Sequence, residues 1–244
     1  MVEGPKTITN RVSSSSDLPT AAERKQWDQE YTRHKAIPSS NRDDPSRALI
    51  AADGPLEYES IDVAVDVGCG NGRNTVYLAN KGIDVLALDF STEAVARTKE
   101  RLAHSTVSGS VDVLLADTTA GLPITDESAD LIVDSYFSCH ILEEATLDAY
   151  FTDVRRILAP DGQFYWSGLG AADEYYQSIA DSHPGENIVV DPLNDIPKKL
   201  YNVRNLGAEL PFGDDPTVAM ELMFEDEVDA DSYQRSIVSA VFDK

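Results

Sequence analysis

The chain has 244 residues, enough for one large domain with appendages, and its 43 acidic against 20 basic side chains leave a formal charge of −23. The acids are spread along the chain and not gathered in one tail, so phosphate backbones are repelled and nucleic acid is a poor ligand. No apolar run approaches the roughly 18 residues of a membrane span, which argues against a membrane partner.

The first residues lack the basic and apolar blocks of a signal peptide. Cys69 and Cys139 are the two cysteines and make no disulfide framework. A soluble cytoplasmic protein is expected. The diffuse acidic excess predicts a halophilic host, with an ordinary acidic cytosolic protein as the alternative.

Residues 1–19 carry few large apolar side chains and a run of four serines, which predicts a disordered lead-in. A single domain then spans 20–244. It opens with a helix over 20–36, "TAAERKQWDQEYTRH", in which Thr20 is a candidate N-cap, Glu23 completes a capping box and Trp27 and Tyr31 share one face. "IPSSNRDDPSR" is a loop. From Ile61 the chain alternates short β-branched runs with stretches of helical period. "IDVAVDV", "IDVLALD", "VDVLLAD", "ADLIVDS" and "QFYWSG" read as strands. "RNTVYLANK", closed by Gly82, and "TEAVARTKERLAH", capped by Ser91, read as helices. Leu147, Tyr150, Phe151, Val154, Ile157 and Leu158 mark the clearest amphipathic helix, which "APDG" stops. This alternation predicts a three-layer, doubly wound α/β sandwich. With two final strands in "TVAMELMFED" and "YQRSIVSAVFD", the sheet is seven-stranded and mostly parallel, ending in an antiparallel hairpin.

Residues 171–215 are irregular, with weak helical signals in "DEYYQSIAD" and "KKLYNVRNLG". Lying after the fifth strand, they are placed as a lid over the carboxyl ends of the strands, where open α/β sheets bind ligands.

The motif with chemistry is "VDVGCGNGRNTVYLANKGIDVLALDF". Gly68, Gly70 and Gly72 turn the chain sharply out of strand one and let a ligand lie against bare backbone at a helix N-terminus. A dinucleotide fingerprint is GxGxxG, and here Asn74 and Thr75 stand where its third glycine would be. Asp89 closes strand two, where a carboxylate accepts from both hydroxyls of a ribose. The ligand read from these residues carries a ribose and a small charged group in place of a pyrophosphate.

The same stretch resembles the first two motifs of class I S-adenosylmethionine-dependent methyltransferases, which have a Rossmann-like fold. "CGNGRNTVYLANKG", with "WDQEY" upstream, is most similar to their tellurite-resistance and thiopurine-like small-molecule branch. The resemblance runs from Trp27 to Gly168. It implies S-adenosyl-L-methionine as cofactor and S-adenosyl-L-homocysteine as product. The loop Asp66, Gly68, Cys69, Gly70, Asn71 and Gly72, with Asn74 behind it, would flank the methionine part, Asp66 lying near its amino group. Asp89 and Ser91 would hold the ribose end and Phe90 would cover the adenine. Asp117 would accept from the adenine amino group, with Thr118 beside it. Asp134, Ser135 and Tyr136 would line the space between cofactor and acceptor, and Trp27 and Tyr31 would close over the cofactor.

Methyl transfer needs positioning in line with the sulfur–carbon bond and exclusion of water. A small thiol, metalloid or hydroxyl nucleophile is the expected acceptor. Strand four ends in "DSYF" and lacks the Asn/Asp-Pro-Pro-Tyr cluster of enzymes that methylate nucleobases and glutamine. Tyr136, Phe137, Tyr175, Tyr176 and Tyr201 are candidates for an aromatic pocket wall, and Lys198, Lys199 and Arg204 for attracting an anion. Catalytic candidates are His140, His183 and Tyr136, with a structural histidine as the alternative. No metal ligand set is expected, and the assembly is a monomer or homodimer. The rival functions are a regulatory protein that binds the cofactor without transfer, and a nicotinamide-dependent oxidoreductase.

Overall fold

The structure is a computed structural model that describes residues 21–34, 36–179, 187–213 and 215–244. The lead-in, Thr20 and His183 lie outside the described residues. Helix α1 (Ala21–Gln29) runs on as a π-helical turn, Glu30–His34, and short helices α2 (Pro38–Asn41) and α3 (Arg47–Ala51) follow. The alternating unit is β1 (Val63–Val67), α4 (Arg73–Asn80), β2 (Asp84–Asp89), α5 (Thr92–Ala103), β3 (Val111–Leu115), β4 (Ala129–Ser135), α6 (Glu144–Ile157) and β5 (Leu158–Gly170). After it come α7 (Glu174–Ile179), β6 (Ile188–Val190), β7 (Pro197–Tyr201), α8 (Leu206–Glu209) and the hairpin β8 (Val218–Val228) and β9 (Asp231–Asp243). Among the described residues no helix is long and apolar enough to cross a membrane.

Strands β3, β2, β1, β4 and β5 lie side by side and parallel. Antiparallel β9 pairs β5 along Gln163–Leu169, and β8 pairs the outer side of β9. These seven strands form the expected doubly wound Rossmann-like methyltransferase sheet with its C-terminal hairpin. Two strands are additional. Of the segment read as weakly helical in "KKLYNVRNLG", the first part forms β7, which pairs antiparallel with β6 and touches the end of β5 at Leu169 and Gly170, while the rest is helical, in a turn at Val203–Asn205 and in α8. Helix α6 ends at Ile157, just before "APDG", but β5 starts earlier than "QFYWSG", at Leu158: Asp161 adopts a left-handed φ of 65° inside the strand, where the register against β4 shifts.

Strand alternation assigns the layers. Val65, Val67, Leu86, Leu88 and Ile132 face one way, into the core built with Tyr150, Phe151 and Val154 of α6. Ala64, Val85, Leu131 and Val133 face the other way, against Leu78 of α4 and Leu49 of α3. By the same parity Asp66 and Asp89 emerge on the α4 side, whereas Asp134 emerges on the α6 side. Three acids at neighbouring strand ends therefore serve different layers.

After β5, a buried ion pair ties together α7, β6 and β7. Lys198 Nζ lies 3.1 Å from Asp191 Oδ2, with the two side chains 1% and 4% exposed, and Asp191 Oδ1 accepts from the Tyr175 hydroxyl (2.9 Å) and the Leu193 N–H (3.0 Å). Lys198 is thus engaged inside the lid and is not a surface attractor for anions. Lys198→Met is expected to destabilise the fold by about 3–5 kcal/mol, because Asp191 would stay buried without its counter-charge. A second change, Asp191→Asn, is expected to restore part of that loss in thermal melts.

Candidate functional site

The glycine turn after β1 needs its glycines for steric reasons. Gly68, Gly70 and Gly72 have φ of 66°, 60° and 77°, and a Cβ on Gly68 would meet Phe137 Cδ2 at 2.8 Å. Asp89 anchors this turn. Its Oδ2 accepts from the Gly70 N–H (3.0 Å) and its Oδ1 from the Ser91 N–H (2.9 Å), so one carboxylate ties the glycine loop to the start of α5. Burial pushes Asp89 up to about 6. Asp66 lies deeper: burial raises it to about 7, opposed by the Thr75 hydroxyl, which donates to Oδ2 at 2.6 Å.

Asp117 stands at the end of β3, one residue after Ala116, whose N–H donates to the Asp89 carbonyl. Its Oδ1 accepts from Thr119 N (3.0 Å) and Oγ1 (2.7 Å), while its Oδ2 is buried without a partner. An orphaned buried acceptor is uncommon and costs about 1–3 kcal/mol unless something donates to it. Thr118 beside it is buried.

Helix α1 covers this region. The Trp27 ring lies 4.9 Å from the His140 ring, 6.3 Å from Phe90 and 6.5 Å from Tyr31, bringing four of the expected residues into one aromatic cluster. Two acids missed in the sequence fix the helix there. Asp28 Oδ1 accepts from Ser91 Oγ at 2.6 Å and from Glu93 N at 3.3 Å. Glu30, fully buried, takes the Ala36 and Ile37 N–H groups and Ser40 Oγ on Oε1, and Asn194 of the lid on Oε2. Nothing in the linear pattern distinguishes these from surface acids. Their role follows from the π-helical turn, which rotates Glu30 inward.

Other expected site residues are turned elsewhere. Asn74 Oδ1 accepts from Ser46 N (2.9 Å) and Asn71 Nδ2 donates to the Arg42 carbonyl (2.7 Å), so both hold the loop before α3. Cys69 Sγ faces Thr98 Oγ1 at 3.6 Å, and Ser135 Oγ pairs with Ser167 Oγ at 3.2 Å. Asp134 accepts from Phe137 N, Ser138 N and the Tyr150 hydroxyl, organising the turn after β4. Burial pushes both cysteine thiols up, which leaves them protonated. Burial and the neighbouring Lys198 lower His140 to about 3, and its Nδ1 lies 3.0 Å from the Pro197 carbonyl. A neutral imidazole donating Nδ1–H to that carbonyl is a poor proton acceptor.

Tyr136 is held at a left-handed φ of 63° just past β4, a conformation that costs an aromatic residue about 1–3 kcal/mol and concentrates at functional sites. It borders a cavity of about 510 Å³ that also has Tyr175 and Tyr176 of the lid, Arg73 of α4 and Phe224 and Ile237 of the C-terminal hairpin in its walls. Phe137 and Tyr201 do not line it: Phe137 packs on Tyr150, and Tyr201 on Trp166.

Residues 64–162 match the methyltransferase domain family. The chain is 34% identical over 108 residues to the ribosomal RNA large subunit methyltransferase G of Streptomyces coelicolor, covering 43% of this chain and 28% of that protein. It is 35% identical over 113 residues to an uncharacterized methyltransferase of Synechocystis, covering 45% of this chain and 50% of that protein. The chain thus spans half or less of the length of these relatives. In fold it is similar to a SAM-dependent methyltransferase from Anabaena variabilis, with a TM-score of 0.63, 19% identity and 98% of each chain covered. The methyltransferase match contains the glycine turn, Asp89, Asp117, Arg73 and Tyr136, and it ends at Gly162, before the lid. The cavity walls supplied by the lid and hairpin therefore lie beyond it.

Proposed function

We propose that this protein transfers a methyl group from S-adenosyl-L-methionine to a small-molecule nucleophile, releasing S-adenosyl-L-homocysteine. The observation that carries this reading is the orphaned Oδ2 of Asp117, set beside Asp89 and the glycine turn. A buried acceptor awaiting a donor, a carboxylate at the end of β2 and a buried Asp66 suited to a cation together fit an adenine amino group, a ribose and a methionine ammonium. The cofactor's sulfonium supplies an already activated methyl group.

The chain's own residues then bind, orient and shield. Asp66 would hold the ammonium, Asp89 the ribose hydroxyls and Asp117 the adenine amino group, while Phe90 and Trp27 exclude water from the ring. Tyr136 is pushed up to about 12 by burial, so it keeps its proton and serves as a donor. No histidine is found among the described residues that line the cavity. Thiolates and metalloid oxyanions, which need little deprotonation, are the acceptors this reading expects ahead of alcohols.

A small acceptor is further supported by the cavity, whose volume suits a compact molecule, and by the charge of −23, which opposes a polynucleotide. The developed lid argues against a purely regulatory cofactor-binding role. Incubation with methyl-labelled S-adenosylmethionine and separate panels of thiols, tellurite, phenols and ribosomal RNA tests this. Label is expected in the small thiols or tellurite; label entering RNA alone contradicts the small-molecule reading.

A further inference from the structure

Arg73 is the first residue of α4, directly after the glycine turn, and is 6% exposed. A cation at a helix N-terminus opposes the helix dipole, and a buried one needs a counter-charge. Arg73 has neither helper. Its Nε is buried without a partner, its Nη1 reaches only the Asp44 carbonyl at 3.3 Å, and it forms no ion pair among the described residues. Burial above all, with the nearby Arg42, lowers its affinity for its proton, and Tyr136, Tyr31 and the buried Asp66 oppose that shift without outweighing it.

The other arginines at the cavity are engaged or peripheral. Arg42 pairs with Asp226, and Arg235 pairs with Asp173 at 2.8 Å while covering the Tyr175 and Tyr176 rings. Arg47 stacks on Phe224 at 4.5 Å, and Arg33 is exposed at the rim. Among the described residues that line the cavity, Arg73 is thus the buried arginine without an ion pair or ring partner, and Tyr136, Tyr175, Tyr176 and Phe224 line the same cavity.

Taking the methyl-transfer reading as its basis, we propose that the acceptor is a small aromatic molecule bearing one carboxylate, which Arg73 binds. The unpartnered Nε belongs to the edge of the guanidinium that forms paired hydrogen bonds with a carboxylate. One buried guanidinium balances one carboxylate. A phosphate dianion would in addition face Asp226, Glu227 and Asp229 in the same walls. The competing partner, the cofactor's own carboxylate, is less well supplied: Gly68, Gly70, Asp89 and Asp117 do not line this cavity. An anion specificity built on a buried arginine also explains how so acidic a chain captures an anionic substrate at all.

The test is calorimetric titration with 4-mercaptobenzoate and 4-mercaptobenzamide, which share the aryl thiolate and differ by the carboxylate charge, with and without S-adenosylhomocysteine, alongside titration with S-adenosylmethionine. The wild type is expected to prefer the acid by about tenfold or more, and Arg73→Met to lose that preference while keeping its affinity for the amide and for S-adenosylmethionine within about threefold. Arg73→Lys is expected to keep part of the preference, which covers the case in which the methionine variant does not fold. Equal binding of acid and amide by the wild type, or no binding of either, overturns the proposal. A Met variant that weakens S-adenosylmethionine tenfold with the acid preference intact does the same, assigning Arg73 to the cofactor. Acid preference in a protein that binds no S-adenosylmethionine would sustain Arg73 as an anion site and remove the methyl-transfer reading.

Discussion

Asp89→Ala is expected to weaken S-adenosylmethionine binding by about a hundredfold or more and to lower the melting temperature of the free protein. Two losses combine. The carboxylate that would accept the ribose hydroxyls disappears, and the Gly70 and Ser91 N–H groups lose their common acceptor. Each stranded donor costs about 1–3 kcal/mol. The burial penalty that raises Asp89 to about 6 is relieved at the same time. The net destabilisation should therefore be about 1–3 kcal/mol and not the full sum. Asp89→Asn separates the two effects: its amide oxygen still serves one backbone donor, so it should melt closer to wild type while binding stays poor. Calorimetry and thermal melts on both variants check this. Alanine binding within a few-fold of wild type would remove Asp89 from the cofactor site.

The second large effect is one of pH. Burial raises Asp66 to about 7 and Asp89 and Asp134 to about 6 in the folded protein. In the unfolded chain all three titrate near the ordinary carboxylate value of about 4. Between about pH 4 and 7 the folded state therefore holds more protons than the unfolded state, and stability falls as pH rises through that window. Mild acidification from pH 8 to pH 6 should raise the melting temperature of the cofactor-free protein, on the order of a few kcal/mol in stability. Relief of self-repulsion in a chain of charge −23 acts in the same direction.

Binding should respond oppositely. A protonated Asp66 cannot serve as counter-ion to an ammonium, so affinity for S-adenosylmethionine should drop as pH falls below about 7. Because a bound ammonium favours ionised Asp66, binding near pH 6.5 should release protons. Calorimetry in buffers of different ionisation enthalpy reads that release. Proton uptake, or affinity that rises on acidification, would show that Asp66 does not meet the cation.

The alternating unit was readable because each strand is short, β-branched and separated from the next by a helix with one apolar face. Ser91 does cap α5, its Oγ accepting from Ala94 N at 3.1 Å, and the glycine turn has the left-handed backbone its glycines imply. The lid was not readable. β6 and β7 total eight residues, and β7 "PKKLY" contains two lysines that no strand pattern favours. Its Lys198 is buried only because Asp191 and Tyr176 meet it in three dimensions. Asp134 looked like a site residue from its place at a strand end, yet its parity sends it to the α6 layer, where Tyr150 awaits it. Arg73 carried no linear signal beyond its place after the glycines. Its lack of an ion pair among the described residues depends on which acids the fold brings near: the buried Asp66 acts on it electrostatically but forms no ion pair with it.

The glycine turn, Asp89 and Asp117 together are expected to hold S-adenosylmethionine. The most direct test is calorimetric titration of the purified protein, in high and low salt, with S-adenosylmethionine, S-adenosylhomocysteine and NAD in parallel. Micromolar binding of the first two, absent for NAD and lost in Asp89→Ala, is the predicted result. Binding of NAD alone, or of none of the three by folded protein, would contradict it.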